Sequence, residues 1–163
     1  CKRSIFSIQS ITMRKLSILT VILLASTLSW AQGEMQQISR SNDFWKQKLT
    51  EEQYRVTRLH GTERAFSGAY WSSKADGIYT CVCCDLELFD SKTKFKSGTG
   101  WPSYYTFIGN HVEKSTDNSF GMMRDEVHCA RCKAHLGHVF EDGPNPTGLR
   151  YCINSASLQF KER

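Results

Sequence analysis

From Ile38 to Leu59 apolar residues fall at helical spacing, whereas from Gly77 onward they come in short runs broken by turn residues. In the first stretch Asn42 or Asp43 is placed to cap a short helix opening at Phe44-Trp45. Thr50-Glu51-Glu52-Gln53 has the form of a capping box for a second helix. Gly61-Thr62-Glu63 ends that helix and Phe66-Ser67-Gly68 reads as a turn. The β-rich pieces that follow cover residues 77–81, 86–89, 94–96, 103–107, 111–115, 120–129, 137–140, 149–153 and 157–160. Spacing this regular predicts antiparallel sheets folded on themselves, with a small helical cap in front. Beyond two similar cysteine motifs there is no internal repeat, and no linker splits the body.

A different pattern precedes this body. Met13-Arg14-Lys15 opens a basic stretch, Leu16 to Ala25 is an apolar run, and Ser29-Trp30-Ala31 carries small residues at the positions a signal peptidase reads. The run is short for a membrane span, so a cleaved secretory signal is expected rather than an uncleaved anchor. Residues 1–12 precede a candidate initiator, Met13. The expected division is therefore 1–31 as upstream residues and signal peptide, and 32–163 as one catalytic domain, exported and without stable membrane insertion after processing. No cysteine that could be lipidated follows the apolar run. The net charge of +5 has the same local origin: residues 1–31 hold Lys2, Arg3, Arg14 and Lys15 and no acid. Beyond them stand 17 of the 21 bases against all 16 acids. A nearly neutral body excludes a nucleic-acid patch, which needs clustered positive charge.

Cysteine spacing adds chemistry. Cys81-Val82-Cys83-Cys84 and Cys129-Ala130-Arg131-Cys132 each contain C-x2-C, 44 residues apart. Two such knuckles suit a Zn²⁺ ion held by Cys81, Cys84, Cys129 and Cys132, with Cys83 as the spare thiol. Four thiolates leave no open coordination position, so the site is expected to be structural, and a metal-dependent hydrolase is disfavoured. The competing reading is two disulfides, but a bridge within C-x-x-C is strained and more typical of redox catalysts.

Near the C-terminus Arg150-Tyr151-Cys152-Ile153-Asn154 sets one cysteine between a cation and an amide. On a strand, Arg150, Cys152 and Asn154 share a face, and a guanidinium favours the thiolate. Alternatively Cys152 is a small buried hydrophobe. His135-Leu136-Gly137-His138-Val139-Phe140 and Asp142-Gly143-Pro144 precede it by 10 to 17 residues. A tight hairpin through Gly143, Pro144, Pro146 and Gly148 would fold the His138 strand against the Cys152 strand, supplying acid–base help to a nucleophile. Either histidine could instead replace a cysteine on the metal. Ser97-Gly98-Thr99-Gly100-Trp101-Pro102-Ser103 is a glycine-rich loop bearing an aromatic residue.

Taken together, these segments over residues 38–160 resemble the methionine-R-sulfoxide reductases of the MsrB type. The specific segments are His135 to Phe140 and Gly148 to Leu158. The resemblance implies a mainly β fold of two antiparallel sheets, a β-tent, with short N-terminal helices and the structural zinc. It implies reduction of methionine-R-sulfoxide, peptide-bound or free, by attack of Cys152 on the sulfoxide sulfur. Cys152 would become a sulfenic acid. His138, His135 and Asp142 would assist protonation, Arg150 would stabilise the thiolate, and Asn154 would hydrogen-bond within the site. Trp101 would form an apolar wall for the S-methyl group and Phe140 would line the same pocket. Many members carry a resolving cysteine where this chain has Thr99. The expected partners are thus oxidised proteins or peptides and an external thiol reductant, thioredoxin-like or other, with Cys83 as the alternative resolver. A zinc-stabilised binding module with Cys152 merely buried is the rival. A monomer is expected.

Overall fold

The computed structural model describes residues 35–117 and 124–163. Residues 1–31, where the signal was read, lie outside them. The first helix, α1 (Asn42–Lys48), is capped by Ser41 rather than by Asn42 or Asp43, because its first turn already starts at Asn42. Ser41 accepts from the Phe44 N–H, Asp43 lies in the first turn and Lys46 and Lys48 in the last, as the helix dipole favours. Its buried residue is Trp45. The second helix, α2 (Glu51–Arg58), has the expected capping box: Thr50 accepts from the Gln53 N–H, and the Gln53 side chain accepts from the Thr50 N–H. Val56 and Thr57 form its buried face.

Two antiparallel sheets follow. The smaller has the order β2-β1-β9, from β1 (Gly77–Cys81), β2 (Glu87–Asp90) and β9 (Leu158–Glu162). The larger has the order β3-β4-β8-β7-β6-β5. Its strands are β3 (Lys94–Phe95), β4 (Ser103–Tyr104), β5 (Val112–Asp117), β6 (Arg124–Cys129), β7 (His135–Phe140) and β8 (Arg150–Ile153). A 3-10 turn, Ser155–Ser157, carries the chain from β8 in one sheet to β9 in the other. The mainly β, two-sheet expectation holds, and each expected strand has a counterpart among the described residues, the first part of the piece expected at 120–129 (residues 120–123) lying outside them. The pieces expected at 94–96 and 103–107 shrink to two residues each. β7 gains His135 and Leu136 at its start.

The core lies where the two sheets face each other. Phe89 of the small sheet stacks on Tyr104 of the large one at 4.3 Å between centroids. Tyr79 meets Tyr104 edge-on at 5.4 Å. Leu88, Val127, Leu136 and Ile153 are among the other fully buried side chains. Fully burying side chains of this size stabilises by about 1.5–3 kcal/mol each, and aromatic pairs add about 0.5–1.5 kcal/mol. Strand alternation then decides the site. Tyr151 and Ile153 turn inward, so Arg150 and Cys152 stand on the opposite face of the large sheet.

Candidate active site

Cys152 sits in a row set by strand register. Across β8–β7 its Cα partner is His138, across β8–β4 it is Ser103, and His138 in turn faces Glu126 on β6. Directly opposed residues share a face of the sheet. Ser103, Cys152, His138 and Glu126 therefore run side by side across four strands. The expected hairpin is what pairs β7 with β8. Gly137 belongs to the same device: a Cβ there would run into the Cys152 carbonyl oxygen, so only glycine lets the strands close at this point.

His135 and His138 are three residues apart, an odd separation that puts side chains on opposite faces of a regular strand. A register shift between Val127 and His128 leaves Leu136 as an extra residue in β7. His135 is brought round with it. Its Nδ1 hydrogen-bonds Glu126 Oε1, and His60 Nδ1 meets the same oxygen at 2.6 Å. The rings of His135 and His138 lie 5.5 Å apart at 67°. Burial drives the His135 pKa down to about 4 against the pull of Glu126, so this imidazole is neutral near pH 7. Burial raises the Glu126 carboxyl, but hydrogen bonds from His60 and His135 outweigh it and leave a net lowering. Glu126 escaped the sequence reading, since nothing but the folded register joins it to His138.

On the other side of Cys152 stands the glycine-rich loop. Ser103 Oγ donates to Ser97 Oγ at 2.8 Å, Ser97 Oγ meets Thr99 Oγ1 at 2.9 Å, and Thr99 Oγ1 reaches Cys152 Sγ at 3.9 Å. Thr99 thus occupies the position from which a cysteine would contact Cys152. Burial pushes the Cys152 thiol above its ordinary value; the Thr99 hydroxyl and the Arg150 charge pull it down without cancelling that. Arg150 is itself clamped by Asp142, with Nε to Oδ1 and Nη2 to Oδ2 both at 2.8 Å. The pair holds the Asp142 carboxyl below the usual range. Phe140, opposite Arg150 in the register, lies under the guanidinium at 4.4 Å from its ring centroid.

β8 ends at Ile153, so Asn154 begins the 3-10 turn instead of extending the strand face. Its Oδ1 accepts from the Glu63 N–H at 2.9 Å and its Nδ2 donates to the Leu136 carbonyl at 3.0 Å. Those bonds tie β8 to β7 and to the segment after α2. Glu63, read from sequence only as part of the segment that ends the second helix, is a buried carboxylate that accepts from the Ser155 and Ala156 N–H groups at 2.6 and 2.8 Å. Its carbonyl also accepts from Trp101 Nε1 at 3.2 Å, fixing the indole.

Away from this row, Cys81, Cys84, Cys129 and Cys132 bring their sulfurs within 4.8 Å of one another. Cys81–Cys132 and Cys84–Cys129 are 3.6 and 3.5 Å apart. Four sulfurs each about 2.3 Å from one central ion would stand about 3.8 Å apart, and a disulfide about 2.05 Å. The spacing fits a metal ion and not two bridges, and an all-thiolate donor set suits zinc. The histidines stand with Glu126 and Cys152, outside the cluster. Cys83 is fully buried beside it and is not one of the four.

A sheet face that presents one cysteine to histidine, hydroxyl and guanidinium groups is suited to thiol chemistry. Residues 49–162 match the SelR domain. Peptide methionine sulfoxide reductase B1, chloroplastic, of Arabidopsis thaliana is 52% identical over 162 residues, covering 94% of this chain and 80% of that protein. Peptide methionine sulfoxide reductase MsrB of Pseudomonas putida (strain W619) is 59% identical over 130 residues, 79% of this chain and 98% of that protein. MsrB of Synechococcus sp. (strain RCC307) is 56% identical over 127 residues, 77% and 93% of the two chains. The chain belongs to the MsrB family of methionine sulfoxide reductases, which are oxidoreductases.

The expected export is corrected here. The Arabidopsis relative is named chloroplastic, and its match covers 94% of this chain, reaching into residues 1–31 where the secretory signal was expected. Basic, serine-bearing, acid-free leaders are common to secretory and organelle-targeting segments, so composition did not single out export. Among the described residues no helix is long and apolar enough to cross a membrane.

Proposed function

We propose that the chain reduces the R epimer of methionine sulfoxide, peptide-bound or free, with Cys152 as nucleophile. The observation that carries this is the register that sets Cys152 directly between His138 and Ser103. Because burial keeps the thiol protonated, His138 takes the Cys152 proton as the sulfur attacks the sulfoxide sulfur, and passes it to the sulfoxide oxygen. The oxygen transfers to Cys152, giving a sulfenic acid and methionine, peptide-bound or free like the substrate; the thiol loses two electrons and the sulfoxide gains them. Arg150, held by Asp142, stabilises the developing thiolate. His135, neutral by burial, and Glu126 hold the His138 side of the site in place. Asn154 acts by fixing the backbone around Cys152. Trp101, with Phe140 beyond Arg150, forms the apolar wall that favours one epimer by shape.

Thr99 against Cys152 supports recycling by an external thiol. That thiol condenses with the sulfenic acid, releasing water and forming a mixed disulfide, and a second thiol restores Cys152. Cys83 lies buried with Cys81, Cys132 and Thr57 and is unsuited to this step. One structural Zn²⁺ on Cys81, Cys84, Cys129 and Cys132 would cross-link the chain without entering the chemistry. The test is turnover of the separate R and S epimers of a sulfoxide peptide with dithiothreitol. Consumption of R alone, abolished in Cys152→Ser with zinc retained, is expected. Turnover surviving in Cys152→Ser would sink the assignment.

A further inference from the structure

Beside the reacting row lies a cavity of about 620 Å³, bounded by the 71–75 turn, β3 and the glycine-rich loop. That falls within the roughly 300–1,000 Å³ usual for ligand sites. Phe66, Trp71 and Trp101 contribute aromatic surface, and Lys74, Lys94 and Lys96 contribute charge. Among the described residues no aspartate or glutamate lines it. Three lysines without a carboxylate are a local excess in a body whose charges otherwise nearly balance.

The aromatic wall is built rather than incidental. Among the described residues the exposed large hydrophobics are Phe44, Leu59, Phe66 and Trp71, and the last two stand here, edge-to-face at 5.3 Å. The Phe66 N–H donates to the Gly100 carbonyl at 2.9 Å, which fixes its ring over the loop. Gly100, at φ +88°, makes that approach possible, because a Cβ there would strike the Phe66 backbone nitrogen. Lys94 Nζ donates to the Ser73 carbonyl at 2.8 Å and reaches the Trp71 carbonyl at 3.4 Å, bracing the rim. Lys74 and Lys96 are exposed at its mouth.

One loop separates this cavity from the reacting sulfur. Thr99 faces Cys152, while Ser97, Gly98, Gly100 and Trp101 face the cavity. A methionine sulfoxide reaching Cys152 past Trp101 leaves its own peptide at the cavity's rim. We infer that the cavity receives the residues flanking the oxidised methionine and selects acidic ones, with Lys74 and Lys96 pairing to aspartate or glutamate and Phe66 and Trp71 covering apolar neighbours. The inference rests on Cys152 being the reacting sulfur.

The experiment compares three substrates on the full chain with dithiothreitol. They are a pentapeptide with a central R-sulfoxide flanked by aspartates, the same peptide flanked by lysines, and acetylated methionine-R-sulfoxide. At low salt kcat/KM should favour the aspartate peptide by about three- to tenfold, the scale of one or two exposed ion pairs. The preference should fade by about 0.5 M salt, where such pairs are screened. Lys74→Glu/Lys96→Glu should invert the order and leave the acetylated amino acid unchanged. Equal kcat/KM for both peptides, or a preference that the double variant keeps, overturns the inference. So does a double variant that slows only turnover driven by a protein thiol reductant, which would make the cavity the reductant's dock. No turnover of any of the three substrates would instead remove the reading of Cys152 itself.

Discussion

At Cys152 burial and neighbouring groups act in opposite senses on one thiol. Burial raises its pKa; the Thr99 hydroxyl and the Arg150 charge lower it and lose. Alkylation of Cys152 by iodoacetamide should therefore be slow at pH 7 and accelerate only as pH rises beyond about 8.5, the ordinary cysteine value. Thr99→Val and Arg150→Met should each move that rise to still higher pH. A thiol that alkylates fully at pH 7 would mean that Arg150, and not burial, governs it. Thr99→Cys should trap Cys152 as an internal disulfide after one turnover, readable by mass, because Thr99 Oγ1 already lies 3.9 Å from the sulfur. The Arg-x-Cys spacing was legible because alternation on a strand needs no tertiary knowledge. The Asp142 clamp on Arg150 and the anchoring of Asn154 were not, since both depend on where β8 stops and its hairpin turns.

The decisive element is the β6–β7 pair. Sequence placed both histidines near Cys152 but gave no means of bringing residues three apart to one side. The extra residue in β7 does so, and a bulge leaves little trace in sequence without the partner strand's register. Glu126 stayed hidden for the same reason. Glu126→Gln should slow the reductive step by about tenfold, a part of the roughly 10²–10⁴ that acid–base help supplies. The same cluster should limit acid stability. The His135 pKa is about 4 when folded and about 6.5 when unfolded, so its contribution is intact above pH 6.5 and is lost as pH falls toward 4. Between pH 7 and pH 5 that is about 2 kcal/mol, measurable by urea unfolding. His135→Asn should flatten the loss over that interval; an unchanged slope would contradict the burial argument.

Across the molecule, the four clustered cysteines join the sheets. Cys81 closes β1 of the small sheet and Cys84 lies in the turn after it; Cys129 ends β6 of the large sheet and Cys132 lies in the turn before β7. One zinc per chain is expected by elemental analysis, and its removal by a strong chelator should abolish cooperative thermal unfolding, since the metal spans contacts far apart in sequence. A metal-free chain that melts unchanged would make the cluster incidental. The C-x2-C pairs announced the cysteine cluster, the regular spacing of the β-rich pieces announced antiparallel sheets, and the family resemblance supplied their number. Which sheet carried which strand, and therefore which residues became neighbours of Cys152, required the fold. The most direct test of the whole account gives the protein one equivalent of a methionine-R-sulfoxide peptide without reductant. One equivalent of methionine peptide and one added oxygen on Cys152, trapped as the sulfenic acid, is the predicted result. A Cys83–Cys152 disulfide, or an oxygen found elsewhere with Cys152 unchanged, would contradict it.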